Sequence, residues 1–271
     1  MSLWYVLLEK QARRGSYNMA VDEYLFRLAQ QKKATFLRLY TWSQPTASLG
    51  AGQDASRALK LEECAKRGVE VVRRMTGGKM VLHHLEVTYS VASSEVEIFT
   101  STLEGSYRLI SEALVRGLEL MGVKAQLAEH TSSTYARSHL PCFAYPARNE
   151  VEINGKKIIG SAQKRVGNCF IQHGSIPLVK ELELLAAISQ GLDASRQERI
   201  TSLSDELGRQ VSYLEGAEYI LAGFRSYFGF QAEERRLSPE ELGIIREIET
   251  KKYANPRWTL ERVEPELGLI F

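Results

Sequence analysis

The chain has 271 residues, of which 44% are hydrophobic and 25% are charged, a composition typical of a globular protein with a sizeable core. Its 35 basic and 33 acidic residues give a net charge of +2, which provides no global attraction for nucleic acid. No apolar run approaches the ~20 residues that span a membrane. The sequence therefore excludes neither an enzyme nor a binding module, but it argues against a nucleic-acid or membrane protein.

Hydrophobic periodicity predicts alternating strands and helices in the N-terminal half of the chain. The predicted strands are residues 3–8, 36–42, 69–74, 79–83 and 86–92, and the predicted helices are residues 16–31, 57–67 and 103–121. Acidic Glu9 precedes the basic cluster near the N-terminus, so the first segment is predicted to be a strand and not a secretory signal. Ser16 is predicted to cap the first helix, and Pro45 is predicted to end the second strand.

The second half begins with a different kind of segment. Residues 128–149 contain two prolines and many small polar residues, which predict a long loop of the kind that often carries function. The following Asn154-Gly155 joins two β-rich runs at 151–159 and predicts a type I′ hairpin. Beyond it we expect a strand at 168–179 and helices at 180–190, 212–227 and 238–252. The simplest organisation is one mixed α/β domain, residues 1–271, with a helical C-terminal part.

The cysteines are the first candidates for chemistry. Cys64, Cys142 and Cys169 have no metal-like spacing, so we expect neither a zinc site nor a disulfide framework, and a cytoplasmic protein. Cys142 lies in the predicted loop, whereas Cys169 lies in an apolar run. Two interpretations of Cys142 remain open at this point: a reactive thiol, or a small apolar side chain buried under the loop.

The other candidate residues also have both a functional and a purely structural interpretation. Gly77 and Gly78 follow Arg73-Arg74, a pattern that suits backbone binding of a polar ligand or, equally, a tight turn. Lys156 and Lys157 point to opposite faces of the predicted strand, so one can enter a pocket, unless both are solvated. The five histidines are His83, His84, His130, His139 and His173. A Cys–His pair would make a nucleophile, but spacing alone pairs none of them with Cys142.

These features occur in an order that resembles the lipoate–protein ligase and octanoyltransferase superfamily, whose catalytic domain is shared with biotin–protein ligases. The matching blocks are Asn18 to Glu23, Leu39 to Gln53, Arg73 to Ser90, Gly155 to Gln163 and Gln172 to Ser175, followed by Lys252, Tyr253 and Trp258. The resemblance implies an α+β fold with mixed, largely antiparallel sheets flanked by helices. It also implies a catalytic core at about 16–230 and a helical extension at about 231–271.

Within this superfamily, Cys142 ahead of Glu150 and the lysine block resembles the LipM-type octanoyltransferases, which hold the acyl group as a thioester. The resemblance implies that Cys142 is the nucleophile and that Lys157 is the cation that favours its thiolate. Residues implied to bind the acyl substrate are Arg73, Arg74, Thr76, Gly77, Gly78, His83, Gly160, Ser161, Ala162, His173 and Gly174.

The same resemblance implies the partners. Octanoyl would arrive on the phosphopantetheine of acyl carrier protein and leave on a lysine of lipoyl domains or of the glycine-cleavage H protein. No metal or other cofactor is expected, and a monomer is expected. Three alternatives stay open: an ATP-dependent lipoate ligase that forms lipoyl-adenylate, an amidotransferase that takes octanoyl from the H protein, and a non-catalytic module that docks these carriers.

Overall fold

The computed structural model of the chain describes residues 2–129, 149–191 and 199–268. Its strands are β1 (Leu3–Leu8), β2 (Thr35–Tyr40), β3 (Thr46–Leu49), β4 (Glu70–Arg73), β5 (Val81–His83), β6 (Glu86–Ser93), β7 (Gln126–Leu127), β8 (Val151–Ile153), β9 (Lys156–Val166), β10 (Cys169–Pro177) and β11 (Gln231–Glu234). Its helices are α1 (Gly15–Gln31), α2 (Ala55–Ala58), α3 (Leu61–Lys66), α4 (Val96–Phe99), α5 (Leu103–Leu120), α6 (Leu182–Ile188), α7 (Leu203–Leu207), α8 (Tyr213–Phe228), α9 (Pro239–Ile248) and α10 (Pro256–Thr259), with a π-helical turn at Glu249–Tyr253.

The described strands form two sheets. The larger has the order β11-β1-β2-β6-β10-β9-β8-β7, and the smaller has the order β4-β3-β5. In the larger sheet β1 pairs in parallel with β11 and β2, and the other neighbouring pairs are antiparallel. These mixed, largely antiparallel sheets flanked by helices confirm the predicted fold class.

The larger sheet is buried on both faces. On one face α5 and α8 contribute to an apolar cluster that includes Trp4, Tyr89 and Phe224. On the other face α1 packs against Phe36 and Ile171. In β6 the apolar residues Val87, Tyr89 and Val91 alternate with polar residues, a period-2 pattern that explains why this strand is readable from the sequence. None of the described helices is long and apolar enough to span a lipid bilayer.

The predicted hairpin is present with the predicted turn. Strands β8 and β9 are antiparallel neighbours. Asn154 and Gly155 between them have φ angles of 50° and 76°, the positive values that a type I′ turn requires at both central positions. The turn therefore sets the start of strand β9, and with it the position of the buried Lys157.

Two predictions about local structure are wrong. Ser16 does not cap α1: its hydroxyl donates to Glu249 at 2.7 Å, and the backbone N–H groups of Gly15 and Ser16 donate to the carboxylate of Glu70 at 2.9 and 3.1 Å. A carboxylate from a distant strand thus satisfies the first turn of the helix and complements its dipole. The helix predicted at 57–67 is broken into α2 and α3, because Lys60 donates its backbone N–H to Ile188 at 2.8 Å.

The C-terminal part is helical as predicted but also contributes strand β11, which pairs with β1. Its π-helical turn is fastened to α1. Lys252 lies 3.0 Å from the carboxylate of Glu23, and Tyr253 donates its hydroxyl to the same carboxylate at 2.7 Å. The single-domain assignment and its division near residue 230 stay predictions.

Candidate active site

A cavity of about 340 Å³, including its open mouth, lies between the small sheet and the centre of the large sheet. It is lined by Met19, Tyr40, Ser48, Arg74, Val81, His83, Thr88, Gly160, Ser161, Ala162, His173 and Gly174. Seven of these are residues that the family resemblance assigned to substrate binding, although they come from four separate stretches of chain. The fold therefore gathers most of the predicted binding residues around one space.

His173 is held in one orientation on the wall of this cavity. Its Nδ1 lies 2.9 Å from Asp22 Oδ2, and its Nε2 lies 2.7 Å from Thr76 Oγ1. Burial lowers the pKa of His173, against the opposing influence of Asp22. Burial raises the pKa of Asp22, but the hydrogen bond from His173 and the charge of Arg38 outweigh it and leave the pKa below its usual range.

These directions assign the protons. An ionised Asp22 only accepts hydrogen bonds, so a neutral His173 carries its proton on Nδ1 and donates it to Asp22. The hydroxyl of Thr76 then donates to Nε2 of His173 and accepts from Nε of Arg74 at 3.1 Å. Both ring nitrogens are occupied within the protein, so His173 serves as a fixed wall more readily than as a proton acceptor.

His83 is fixed in a similar way on the neighbouring wall. Its Nδ1 lies 2.8 Å from Glu86 Oε1, and its Nε2 lies 2.7 Å from Ser48 Oγ. Its ring stacks on Trp42 with centroids 4.2 Å apart and an interplanar angle of 14°. Arg74 also reaches Ser48, donating to its carbonyl and hydroxyl oxygens at 2.8 and 3.1 Å. The guanidinium of Arg74 therefore donates to both Ser48 and Thr76, the hydroxyl partners of the two histidines.

Arg74 also shapes the glycine turn. It donates from Nη2 to the carbonyl oxygens of Gly77 and Lys79 at 2.9 and 2.7 Å. Gly78 has a φ of 92°, and a Cβ on Gly50 would lie 2.0 Å from its carbonyl oxygen. The two segments can approach this closely because position 50 is glycine, whereas position 78 favours glycine because of its positive φ.

Arg73, also predicted to bind substrate, does not line the cavity. Its Nη1 donates to Gly50 and Gln53 carbonyl oxygens, both at 2.7 Å, and its Nε donates to those of Trp258 and Thr259, both at 3.0 Å. Burial lowers the pKa of Arg73 to about 10, with the charges of nearby arginines adding to the effect. In this position Arg73 ties the C-terminal segment to the loop that follows β3.

An open groove of about 900 Å³ adjoins the cavity. It is lined by Gly77, Gly78, Leu103, Glu104, Tyr107, Asn149, Glu150, Ser161, Ala162 and Gln163. Ser161 and Ala162 line both spaces, so they mark the mouth where the groove leads into the cavity. Gly77 and Gly78 thus lie at the approach to the cavity and not inside it.

Lys157 is buried beside this groove. Its side chain has no exposed surface, and its Nζ lies 2.7 Å from Oε2 of Glu150, whose side chain is 2% exposed. Its backbone N–H donates to Arg199 at 2.8 Å, and its carbonyl accepts from Thr201 at 3.1 Å. Lys156 is exposed, so the predicted alternation of the two lysines is confirmed.

Cys142, with His130 and His139, lies outside the described residues. The other two cysteines are buried free thiols. Burial raises the pKa of Cys64, and it raises the pKa of Cys169 to about 12. Neither has the lowered pKa of a reactive thiol.

The family-model comparison identifies the domain. The model of the lipoyl protein ligase A/B catalytic domain matches residues 14–225. This chain belongs to that family. It is 36% identical to the octanoyltransferase LipM of Carboxydothermus hydrogenoformans over 254 residues, covering 90% of this chain and 94% of the relative. It is also 36% identical to the octanoyltransferase LipM of Kyrpidia tusciae over 276 residues, covering 97% and 100%.

Solved members of the family share this fold. The crystal structure of lipoate-protein ligase A bound with ATP superposes with a TM-score of 0.83 at 24% identity, covering 97% of this chain and 100% of that one. At this level of identity the likeness establishes the fold and nothing about the ligand. Among the described residues, no group of three or more histidines, cysteines or acidic residues is arranged to hold a metal ion.

Two carboxylates were not assigned a role from the sequence. Asp22 accepts hydrogen bonds from Arg38 and Ser90 at 2.9 Å and from Tyr40 at 3.0 Å, in addition to His173. Glu86 accepts from Trp42, Ser175 and Thr88. An acidic residue within an apolar helical period, as at Asp22, is the signal that identifies such a group, because buried carboxylates need partners.

Proposed function

We propose that this chain is an octanoyltransferase of protein lipoylation that carries its acyl group as a thioester on Cys142. The observation that carries the proposal is the 36% identity to an octanoyltransferase LipM that spans 97% of the chain. The cavity and its groove support it, because a cavity reached from an open groove suits an acyl chain delivered on a carrier arm. Each methylene buried there contributes ~0.8 kcal/mol to binding.

In the first half-reaction the thiolate of Cys142 attacks the carbonyl carbon of octanoyl-phosphopantetheine on acyl carrier protein. A new carbon–sulfur bond forms to Cys142, the bond to the carrier sulfur breaks, and the released carrier thiolate takes up a proton. A free cysteine has a pKa near ~8.5, so a neighbouring cation is needed to populate the thiolate. Lys157 is the cation proposed for this role, and its pairing with Glu150 supports a protonated Lys157.

In the second half-reaction the acceptor lysine first releases a proton to solvent, and its neutral amine then attacks the Cys142 thioester and passes a second proton to the departing sulfur. The amide bond forms, the bond to the Cys142 sulfur breaks, and that sulfur recovers a proton. Because Lys157 contacts a buried carboxylate, we assign it to charge stabilisation of the leaving thiolate and not to proton acceptance. Backbone N–H groups near Gly77-Gly78 and Gly160-Ser161 are the proposed donors to the oxyanion, worth ~3–4 kcal/mol each in other enzymes.

The proposed donor is octanoyl-acyl carrier protein, and the proposed acceptors are lipoyl domains or the glycine-cleavage H protein. The proposed pathway uses no metal and no ATP, and the enzyme is proposed to act as a monomer. An ATP-dependent ligase would instead activate a free acid as an adenylate, with no acyl group on Cys142.

Intact-protein mass spectrometry after incubation with octanoyl-acyl carrier protein tests the thioester. The parent and the Cys169→Ala control should both gain one octanoyl mass that hydroxylamine releases, and Cys142→Ala should gain none. If lipoate and ATP support acyl transfer in both the parent and Cys142→Ala, and no adduct forms, the chain is a ligase and the proposal is wrong.

A further inference from the structure

A row of paired residues crosses three strands on the face of the large sheet that α5 covers. Tyr89 of β6, Gly174 of β10 and Ser161 of β9 lie opposite one another in this row. The hydroxyl of Tyr89 reaches across Gly174 to the hydroxyl of Ser161, and the two oxygens are 2.7 Å apart. A Cβ at position 174 would lie 2.6 Å from Cε1 of Tyr89 and 2.7 Å from Oγ of Ser161. Glycine at this position therefore allows the tyrosine to reach the serine.

Two glutamines extend this contact on the same face. Gln172 and Gln163 lie opposite each other in β10 and β9. Nε2 of Gln172 donates to the hydroxyl of Tyr89 at 2.9 Å, and Nε2 of Gln163 donates to Oε1 of Gln172 at 3.0 Å. The chain of bonds ends at Ser106 of α5, whose Oγ lies 3.0 Å from Nε2 of Gln163 and 2.9 Å from Nη2 of Arg165.

The far end of this chain orients both amides. A guanidinium can only donate, so Ser106 accepts from Arg165. Ser106 donates its own proton to the carbonyl oxygen of Thr102 at 2.9 Å, and it therefore accepts from Gln163 as well. An amide that donates with Nε2 to Ser106 and to Oε1 of Gln172 leaves Nε2 of Gln172 to donate to the next group, the phenol.

The phenol passes this direction on to Ser161. Burial raises the pKa of Tyr89, so its hydroxyl keeps its proton at neutral pH. Tyr89 has no exposed surface and accepts from Gln172, so its own proton needs an acceptor, because a buried donor without a partner is costly. Among the residues that the structure describes, Oγ of Ser161 is the acceptor within reach, so Tyr89 donates to it. The proton of Ser161 must then point away from Tyr89, where no described residue accepts it.

Ser161 lies where a bound thioester would lie. It lines both the groove and the cavity beside His173. Its half-buried side chain points to the α5 face, where Leu103 and Tyr107 of α5 also line the groove. With the acyl chain in the cavity and the carrier arm in the groove, the thioester that joins them lies at the mouth between the two spaces. A hydroxyl whose proton lacks a partner in the protein thus stands beside the reacting carbonyl.

We propose that the hydroxyl of Ser161 donates a hydrogen bond to the carbonyl oxygen of the acyl thioester, and that Tyr89 and Gln172 hold it in position to do so. This oxygen gains negative charge when the carbonyl carbon is attacked, and a donor that is already oriented stabilises the charge without reorganisation. Ser161 is then a catalytic residue, and the two others are positioning residues that act through it. The inference rests on the proposed function for its acyl substrate, but not on the identity of the nucleophile.

The first test measures kcat and KM for transfer from octanoyl-acyl carrier protein. Ser161→Ala removes the donor, so kcat should fall by ~100-fold while KM changes little. Tyr89→Phe leaves the donor but removes the group that orients it, so kcat should fall by roughly 5-fold. In the Ser161→Ala background, Tyr89→Phe should lower kcat no further. Tyr213→Phe is the matched control, because it removes a phenol that donates to the carbonyl oxygen of Glu9 at 2.7 Å, away from the groove, and its kcat should equal that of the parent.

The second test reads the hydrogen bond directly. The enzyme is loaded with octanoyl that carries an isotopic label at its carbonyl carbon, and the stretching frequency of the thioester carbonyl is measured by infrared spectroscopy. A hydrogen-bond donor weakens the carbonyl double bond and lowers this frequency. Ser161→Ala should therefore show a higher frequency than the parent, with Tyr89→Phe between the two, and a merely structural role would not produce this order.

The outcomes separate the inference from the proposed function. If the parent transfers octanoyl and Ser161→Ala keeps its kcat, the inference is wrong. If Ser161→Ala raises KM alone, the hydroxyl binds the carrier arm and not the reacting carbonyl, which also contradicts the inference. If the losses from Ser161→Ala and Tyr89→Phe add in full, Tyr89 does not act through Ser161. An inactive parent would instead refute the proposed function itself. Should Tyr89→Phe not fold, the kcat and carbonyl frequency of Ser161→Ala decide.

Discussion

The buried pair of Lys157 and Glu150 gives a quantitative prediction. The two charges are 2.7 Å apart, with side chains 0% and 2% exposed. Removing one partner from a buried ion pair costs ~3–5 kcal/mol, because the other charge stays buried and loses the opposite charge beside it. Glu150→Gln retains volume and a hydrogen-bonding oxygen, so we expect a loss near the lower limit, ~3 kcal/mol, in the free energy of unfolding. Lys157→Met should cost a similar amount, and the double variant should recover most of the loss.

Urea unfolding at neutral pH measures these four proteins, and octanoyl transfer measures their activity. We expect Lys157→Met to abolish transfer and Glu150→Gln to lower kcat with little change in KM, since the groove and cavity keep their shape.

Glu152→Gln is the control, because Glu152 lies two residues away in strand β8 and its carboxylate accepts a hydrogen bond from Gln126 at the surface. Its stability and kcat should stay close to those of the parent. Additive losses of stability, within ~0.5 kcal/mol, would mean that the two charges are independent. That result would refute the role assigned to the pair.

Three further predictions follow from buried groups. Gly174→Ala places a Cβ 2.6 Å from Cε1 of Tyr89, so we expect a lower melting temperature and at least a 10-fold loss of octanoyl transfer; an unchanged kcat/KM would contradict this close contact. Asp22 has a lowered pKa, so it stabilises the fold above its unfolded pKa of ~3.9, and that contribution is lost as the pH falls through the folded value. The free energy of unfolding, measured with urea between pH 3 and 7, should therefore fall less towards low pH in Asp22→Asn than in the parent. If the two proteins show parallel pH dependence, Asp22 does not contribute to it. Burial raises the pKa of Cys169 to about 12, so iodoacetamide should alkylate it slowly in the native protein and rapidly in urea; equal rates would argue against its burial.

The sequence predicts the parts of this fold whose signals are local. The Asn154-Gly155 turn needs only two adjacent residues, and its φ angles agree with the prediction. Strand β6 alternates Val87, Tyr89 and Val91 with polar residues, so its period of two identifies it. The gathering of Arg74, His83 and His173 around one cavity was reached through resemblance to a family, because no spacing rule brings these residues together.

What the sequence does not predict depends on distant partners. Strand β11 has the polar sequence QAEE, without alternation, and exists because its backbone pairs with β1. Glu70 caps a helix 55 residues away, which no local capping rule anticipates. The carboxylate partner of His173 is missed for a similar reason, since Asp22 reaches His173 across 151 residues of chain.

The contacts that fasten the C-terminal segment to α1 also set an order of assembly. Tyr253 and Glu23 are 230 residues apart, and the Trp258 carbonyl bonds to Arg73 across 185 residues. Synthesis proceeds at about 5–20 residues per second, so the helix that carries Asp22 has no C-terminal support for ten seconds or more after it emerges. Contacts of such long range also slow folding, because their loops must close first. A nascent chain would thus contain every residue that lines the cavity beside His173 before it contains the segment that holds the cavity's helix in place.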